Sequence, residues 1–230
     1  MQKHILIIED ESSIRGFIKV NLIRNNFYVL EAASGEEGIK AVHSDHVDVV
    51  ILDIMLPGID GFEVCRILRK EFPGIGIIML TAKSQDMDKI MGLEYGADDY
   101  MVKPFNPMEL VLRVKSLIRR IEKPDSDRRI VESPPFRIDT YSQTLYKGEK
   151  IIELTPTEYS IIKLFMENPS RALKRDDLLN EVWGYNFVGD PKIVDVNIRR
   201  LRAKIEDMPG KPVYIETVWG TGYRWRGGNS

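Results

Sequence analysis

The sequence predicts two folded units: a doubly wound α/β unit on a five-stranded parallel sheet, then a smaller α+β unit of short strands, three helices and a closing hairpin. Residues 1–121 alternate apolar strand-like runs with helical runs five times, which is how successive βα units read in sequence. Residues 121–135, Ile-Glu-Lys-Pro-Asp-Ser-Asp-Arg-Arg-Ile-Val-Glu-Ser-Pro-Pro, are polar and broken by three prolines, a composition that neither continues a helix nor seeds a core. Beyond them the period changes, and consecutive strands precede consecutive helices. The expected division is 1–121, a linker at 122–135, and 136–230.

In the first unit, strands are expected near 4–8, 27–32, 47–52, 75–80 and 99–103, and helices near 12–25, 35–44, 61–71, 84–95 and 107–121. The strands are apolar along their length because helices cover both faces of such a sheet, and the expected strand order is 2-1-3-4-5. In the second unit Phe136–Thr140, Gln143–Lys147 and Lys150–Leu154 are short strands, the last two joined by Gly148-Glu149. Thr155-Pro156-Thr157-Glu158 opens a helix as a capping box with proline at its first position. Further helices are expected near Arg175–Trp183 and Pro191–Asp207, then a hairpin over Val213–Arg226 turning at Gly220-Thr221-Gly222. Val194, Ile198, Leu201 and Ile205 recur at helical spacing, so that side of the third helix packs on the core.

With 230 residues, 43% hydrophobic and 30% charged, the chain can bury two modest cores. No apolar run approaches the roughly 20 residues of a membrane span. Met1-Gln2-Lys3-His4 leads into a strand rather than a signal segment, so a cytoplasmic protein without a membrane partner is expected. The lone Cys65 reads as a small apolar helix residue, and His43 and His46, without further ligands, as surface residues at a helix end. Residues 1–121 hold 15 Lys+Arg against 18 Asp+Glu, net −3, while residues 136–230 hold 15 against 13, net +2. Such mild basicity is weak support for a nucleic-acid partner, which must be judged from where the cations sit.

Glu9, Asp10, Asp53, Thr81 and Lys103 each fall where an apolar strand run ends. A parallel sheet gathers such positions at one edge, where open α/β proteins keep their chemistry. Three carboxylates repel one another there unless protonated or sharing a cation, and oxygen-only ligands suit a hard divalent ion such as Mg²⁺. With a hydroxyl donor and an ammonium beside them, they make a phosphoryl-transfer site. Taken alone, Glu9-Asp10-Glu11 also suits simple capping of the next helix. Asp53 has no such alternative, because it interrupts Val-Val-Ile-Leu-Asp-Ile-Met-Leu, where an unpaired charge is costly. A loop that welcomes phosphate directly is disfavoured, since Glu-Asp-Glu repels it.

Ile-Ile-Glu-Asp-Glu, Leu-Asp-Ile-Met-Leu-Pro-Gly-Ile-Asp-Gly, Met-Leu-Thr-Ala-Lys and Gly-Ala-Asp-Asp-Tyr-Met-Val-Lys-Pro-Phe follow in that order. With them the first 121 residues resemble the receiver domain of bacterial two-component response regulators, a flavodoxin-like fold. The resemblance implies that Asp53 accepts a phosphoryl group from a sensor histidine kinase, that Glu9, Asp10, Asp53 and the Met55 backbone carbonyl hold Mg²⁺, and that Thr81 and Lys103 stabilise the phosphoryl group. Lys103 is expected to precede a cis proline, with Met55 and Lys83 flanking the site. Thr81 and Tyr100 match the family's switch pair. A homodimer formed on phosphorylation would use Lys89, Glu94, Asp98, Asp99, Glu109, Arg113, Lys115 and Arg120, with Lys89–Glu109, Glu94–Lys115 and Asp99–Arg113 paired across it. No enzyme activity is implied beyond self-phosphorylation and self-dephosphorylation at Asp53.

On the third helix of the second unit Arg199, Arg200, Arg202 and Lys204 lie off the apolar stripe, and the hairpin adds Arg224 and Arg226. That placement suits a winged helix on DNA. Val-Asp-Val-Asn-Ile-Arg-Arg-Leu-Arg and Gly-Thr-Gly-Tyr-Arg-Trp resemble the OmpR/PhoB effector domain. By that resemblance Val196, Asn197 and Arg200 face bases, Lys192, Arg199 and Arg202 hold phosphates, Trp219 and Thr221 belong to the wing, and loop 183–190 meets RNA polymerase. Trp219 departs from the arginine many members place in the wing, and Asn197 from a common histidine. The chain is thus read as a phosphorylation-controlled regulator binding double-stranded promoter DNA. The rival is a phosphorylation-independent regulator, or a protein-binding winged helix with a vestigial receiver.

Overall fold

The computed structural model describes residues 2–82, 95–122, 129–185, 187 and 190–227, and the chain divides into two compact units, Met1–Ile121 and Glu122–Ser230. In the first, β1 (His4–Ile8), β2 (Tyr28–Ala32), β3 (Val49–Asp53), β4 (Gly76–Ala82) and β5 (Asp99–Lys103) form one parallel sheet in the order β2-β1-β3-β4-β5. Helices α1 (Ser12–Arg24), α2 (Gly35–Ser44), α3 (Gly61–Glu71) and α4 (Pro107–Ile121) accompany it. The helix expected near 84–95 lies, but for its last residue, outside the described residues.

Strand side chains alternate between the two faces of a sheet. Ile5 and Ile7, Val49 and Ile51, and Met101 all enter one buried cluster with Ile18 and Leu22 of α1 and Leu110, Val111, Val114 and Leu117 of α4. Counting on by two from those positions reaches Glu9, Asp53 and Lys103. The alternation that builds this core therefore aims the three ionisable groups to one side of the sheet edge.

The turn after β3 is built to hold Asp53 in place. The Ile54 N–H donates to the Leu80 carbonyl at 3.1 Å, and the Gly61 N–H returns to the Ile54 carbonyl at 3.0 Å. Asp60 caps α3 by accepting from the Glu63 N–H at 2.8 Å. A Cβ on Gly61 would stand 2.2 Å from the Asp53 carbonyl oxygen, a backbone atom with no room to yield.

The second unit contains the antiparallel sheet β6 (Ile130–Ser133), β7 (Phe136–Asp139), β8 (Thr144–Lys147), β9 (Lys150–Ile152) and a three-stranded sheet in the order β10-β12-β11, from β10 (Ala172–Lys174), β11 (Ile215–Val218) and β12 (Gly222–Trp225). Its helices are α5 (Pro156–Glu167), α6 (Arg175–Trp183) and α7 (Lys192–Ile205). Two of these strands go beyond the sequence expectation. Part of the stretch read as linker forms β6, whose Ile130–Ser133 pairs with Phe136–Asp139 while the Thr140 hydroxyl donates to the Arg129 carbonyl at 2.9 Å. The β-branched Ile130-Val131 pair suits an edge strand, but four residues among prolines and charges show no period. β10 pairs with β12 and is shorter still.

Gly61→Ala is expected to destabilise the first unit by roughly 1–3 kcal/mol through forced backbone movement. Gly74→Ala, where an added Cβ meets nothing within 4 Å, is expected to be nearly neutral. Amide hydrogen exchange of β3 and β4 in the two variants checks the contrast.

Candidate phosphoryl-transfer site and nucleic-acid interface

Glu9, Asp10 and Asp53 place carboxylate oxygens within 4.8 Å of one another. Glu9 and Asp53 are buried and Asp10 is exposed. Lys103 Nζ lies 2.7 Å from Glu9 Oε2 and 3.0 Å from Asp53 Oδ2. Because β4 runs between β3 and β5, the lysine arm crosses two strand spacings, about 10 Å, which only a long side chain bridges. Ala82, the residue paired with Lys103 at the end of β4, leaves the crossing open. The Lys103-Pro104 peptide is cis.

Burial, and after it the nearby Asp53 charge, raise the Glu9 carboxyl above its ordinary range against the pull of Lys103. For Lys103 burial works toward a lower pKa, but hydrogen bonds and charge from Glu9 and Asp53 outweigh it and the ammonium is raised. Three carboxylates and one ammonium leave two formal negative charges, the charge of one divalent cation. Asp53 Oδ1 is buried with no hydrogen-bond partner, a state that costs free energy unless something else meets it. The donor set is all oxygen and suits a hard cation, so the cluster fits a metal ion. Capping does not explain the acidic run, since Glu11 at the start of α1 makes no side-chain cap bond. Arg15, which sequence reading missed, donates to the Glu9 and Asp10 carbonyls at 2.5 and 3.2 Å and fixes the loop.

Thr81 and Tyr100 are buried on adjacent strands. The Thr81 hydroxyl donates to the Ala82 carbonyl at 3.2 Å. Met55, after Asp53, is exposed.

In the second unit α7 buries Ile193, Val194, Asn197, Ile198, Leu201 and Ile205. Lys192 and Arg199 are exposed and Val196 is half-buried, so these three, at helical spacing, mark the outward side. Three expected DNA contacts point elsewhere. Asn197 is buried and donates to the Ile193 carbonyl at 2.8 Å, because position 197 continues the apolar stripe from Ile193 and Val194. Arg200 reaches back to Glu158 Oε1 at 2.8 Å. Arg202 donates to the Ile215 carbonyl at 2.6 Å and the Thr217 hydroxyl at 3.0 Å, lies over the Tyr223 ring, and has its pKa lowered by burial. Glu158, fully buried at the start of α5, also takes Lys204 at 2.7 Å on Oε2 while completing the capping box with Thr155. Sequence reading shows Glu158 only as a cap. In the hairpin, Trp219 and Thr221 occupy the turn, and Arg224 and Arg226 pair with Glu216 at 2.8 and 3.0 Å.

A family model described as a response regulator receiver domain matches residues 5–115, and one described as the C-terminal domain of transcriptional regulatory proteins matches 148–225. The chain is 42% identical over 234 residues to the alkaline phosphatase synthesis transcriptional regulatory protein PhoP of Bacillus subtilis, covering 97% of each. It is 43% identical over 220 residues to the transcriptional regulatory protein AfsQ1 of Streptomyces coelicolor, covering 96% of each. The chain belongs to the OmpR/PhoB-type response regulators. Among solved structures it resembles a mutant of RitR, with TM-score 0.79, 29% identity and 98% and 100% of the two chains covered. It also resembles DrrB, an OmpR/PhoB homologue of Thermotoga maritima, with TM-score 0.54, 33% identity and 99% and 100% covered. A response regulator with these two domains implies a kinase partner and promoter DNA. No helix among the described residues is long and apolar enough to cross a membrane.

In this response regulator the residues expected at a dimer face are mostly engaged within the chain. Asp99 Oδ1 accepts from Arg113 at 2.7 Å, and Arg113 also donates to Glu109 at 2.7 Å. Asp98 pairs with Arg69, a partner that sequence reading does not foresee. Burial raises the Asp99 carboxyl and lowers the Arg120 guanidinium. Lys115 donates to the Asn25 side chain at 2.9 Å. The expected Asp99–Arg113 link is thus made within one chain here, where Arg113 of α4 bridges Asp99 on β5 and Glu109 one turn earlier on its own helix. Lys89, Glu94 and Lys83 lie outside the described residues.

Since the Lys103 pKa is raised on folding, the stabilisation it provides is complete below the ordinary lysine value of 10.5 and is lost as pH rises through the folded-state value. The stability difference between the natural chain and Lys103→Met, followed by hydrogen exchange of the first unit, is expected to shrink above that pH. A pH-independent difference would contradict the pairing. In the second unit Glu158→Gln leaves Arg200 and Lys204 without their counter-charge and is expected to cost roughly 3 kcal/mol. Urea unfolding followed by tryptophan emission measures it, because Trp183, Trp219 and Trp225 all lie in that unit.

Proposed function

We propose that Asp53 receives a phosphoryl group from a phosphohistidine of a sensor histidine kinase, and that its phosphorylation governs dimerisation and promoter binding. The observation that carries this reading is the Asp53 carboxylate, 3% exposed, with Oδ2 on Lys103 and Oδ1 lacking a partner. An Asp53 oxygen forms the new O–P bond as the P–N bond of the phosphohistidine breaks, and the imidazole nitrogen keeps the bonding pair. Mg²⁺ held by Glu9, Asp10, Asp53 and the Met55 carbonyl would supply positive charge opposite the phosphoryl oxygens. Lys103 moves from a carboxylate oxygen to a phosphoryl oxygen a short distance away. The Thr81 hydroxyl exchanges the Ala82 carbonyl for the phosphoryl group, and the change at Thr81 passes to Tyr100 beside it.

Glu109 and Lys115, on α4, are the accessible charges of the proposed homodimer face, and Asp99, Arg113 and Arg120 brace it from beneath. Water acting on the aspartyl phosphate reverses the reaction, and no separate substrate is turned over, so the protein is not an enzyme in the ordinary sense. The setting is the cytoplasm. The loop 183–190, where Tyr185 is exposed, is the proposed contact with RNA polymerase; residues 186, 188 and 189 lie outside the described residues. On DNA, Lys192, Val196 and Arg199 present the outward side of α7 to the major groove.

Selection of duplexes from a genomic library, with and without Mg²⁺ and a small-molecule phosphoryl donor, tests the reading. Donor-dependent enrichment of repeated sites, lost in Asp53→Ala, is expected. Equal enrichment in all samples would remove phosphorylation control, and no enrichment would favour the protein-binding rival.

A further inference from the structure

Successive side chains of a strand point to opposite faces of the sheet, so Glu9 and Asp10 would turn their carboxylates apart if β1 simply ran on. They do not, for both place an oxygen within 4.8 Å of the other and of Asp53. The pairing of β1 with β2 lasts as far as Glu9, whose N–H donates to the Ala32 carbonyl at 3.2 Å, and the chain bends at Asp10. At this bend the carbonyls of Glu9 and Asp10, which would also alternate in an extended chain, converge on one nitrogen, Arg15 Nη1, at 2.5 and 3.2 Å.

Arg15 stands in the first turn of α1, its own N–H on the Glu11 carbonyl at 2.9 Å. Its Nε lies 3.5 Å from Glu31 Oε1 of β2. The guanidinium is therefore braced by β2 and α1 and grips the loop that joins β1 to α1, a loop with no side-chain cap from Glu11 to hold it. The loop backbone in turn orients the Glu9 carboxylate, since the Glu11 N–H donates to Glu9 Oε1 at 3.4 Å while Lys103 meets Oε2 at 2.7 Å. A planar fork of donors can serve two carbonyls and a carboxylate at once, as the point charge of an ammonium cannot.

We propose that Arg15 is a positioning residue for divalent-cation binding, holding the bend that brings Asp10 to the side of Glu9 and Asp53. This rests on the reading that those carboxylates hold Mg²⁺. Mg²⁺ demands near-ideal octahedral geometry, so the placement of its ligands counts. The charge of Arg15 works in the opposite direction, because a cation beside the site repels a second one. Loss of a clasp weakens Mg²⁺ binding and loss of a bystander cation strengthens it, so the sign of the change separates the two roles.

The experiment is calorimetric titration of the full chain with Mg²⁺ in the absence of a phosphoryl donor. Arg15→Gln and Arg15→Lys are each expected to weaken binding about 10- to 100-fold, the range found when outer partners of metal ligands are removed. The second variant keeps the charge and loses only the fork. Lys19→Gln, which removes a cation that pairs with Glu31 from the next turn of α1, is expected to leave the affinity unchanged. With a small-molecule phosphoryl donor, the Arg15 variants are expected to need proportionally more Mg²⁺ and to reach the natural yield of aspartyl phosphate at saturation. Far-ultraviolet circular dichroism and hydrogen exchange of β1 and β3 without Mg²⁺ check that they fold, and where Arg15→Gln does not, Arg15→Lys carries the test. Affinity unchanged or increased in the folded Arg15 variants, an equal loss in Lys19→Gln, or a phosphorylation deficit that saturating Mg²⁺ does not remove overturns the inference and leaves the metal site standing. No Mg²⁺ uptake by the natural chain removes the metal-site reading and the inference with it.

Discussion

One ammonium holding two buried carboxylates apart from water is the constraint around which the first unit is arranged. Lys103 meets both Glu9 and Asp53, and it does so from the far side of β4. The parallel order of the strands, the alternation that sends Glu9, Asp53 and Lys103 to the side of the α1 and α4 core, and the small Ala82 are each conditions for that contact. Glycine at position 61 lets α3 start against the Asp53 carbonyl. The arrangement remains short of positive charge, and Asp53 Oδ1 remains without a partner. A buried group left in that state favours whatever brings positive charge to it, such as a hard divalent cation.

The second unit uses a buried carboxylate to join its helices. Glu158 accepts from the Thr155 backbone N–H and Lys204 on Oε2 and pairs with the Arg200 charge across 2.8 Å on Oε1, and so ties α7 to the start of α5. Arg202 and Tyr223 do the same between α7 and the hairpin. Cations committed to these internal contacts are not offered to a phosphate backbone. Lys192 and Arg199 on the helix and Trp219 and Arg226 on the hairpin are exposed, and Val196 is half-buried.

Much of the first unit is legible in the sequence because its signals are independent of tertiary detail. Asp53 breaks an otherwise apolar strand, and the five landmark positions fall at strand ends, which parallel topology alone brings together. The lysine's long reach is foreseeable; the freedom of Asp53 Oδ1 is not, because it depends on which oxygen Lys103 chooses. In the second unit the apolar stripe of α7 is readable from Val194, Ile198, Leu201 and Ile205, yet Asn197 reads as outward although it lies one turn beyond Ile193 and Val194. A polar side chain inside a stripe is ambiguous until its hydrogen bond, here to the Ile193 carbonyl, is seen. Arg200 and Arg202 mislead for the same reason, since a long cation reports its sequence position and not where its head group lands. The strands β6 and β10 escape because three or four residues carry no measurable period.

Intact-protein mass spectrometry after incubation with a small-molecule phosphoryl donor, with and without Mg²⁺, followed by borohydride reduction and peptide mapping, bears most directly on the role of Asp53. One phosphoryl adduct per chain, dependent on Mg²⁺ and mapped to Asp53 by its reduction to homoserine, is the predicted result. An adduct elsewhere, or none on a folded chain with Mg²⁺ present, would contradict it.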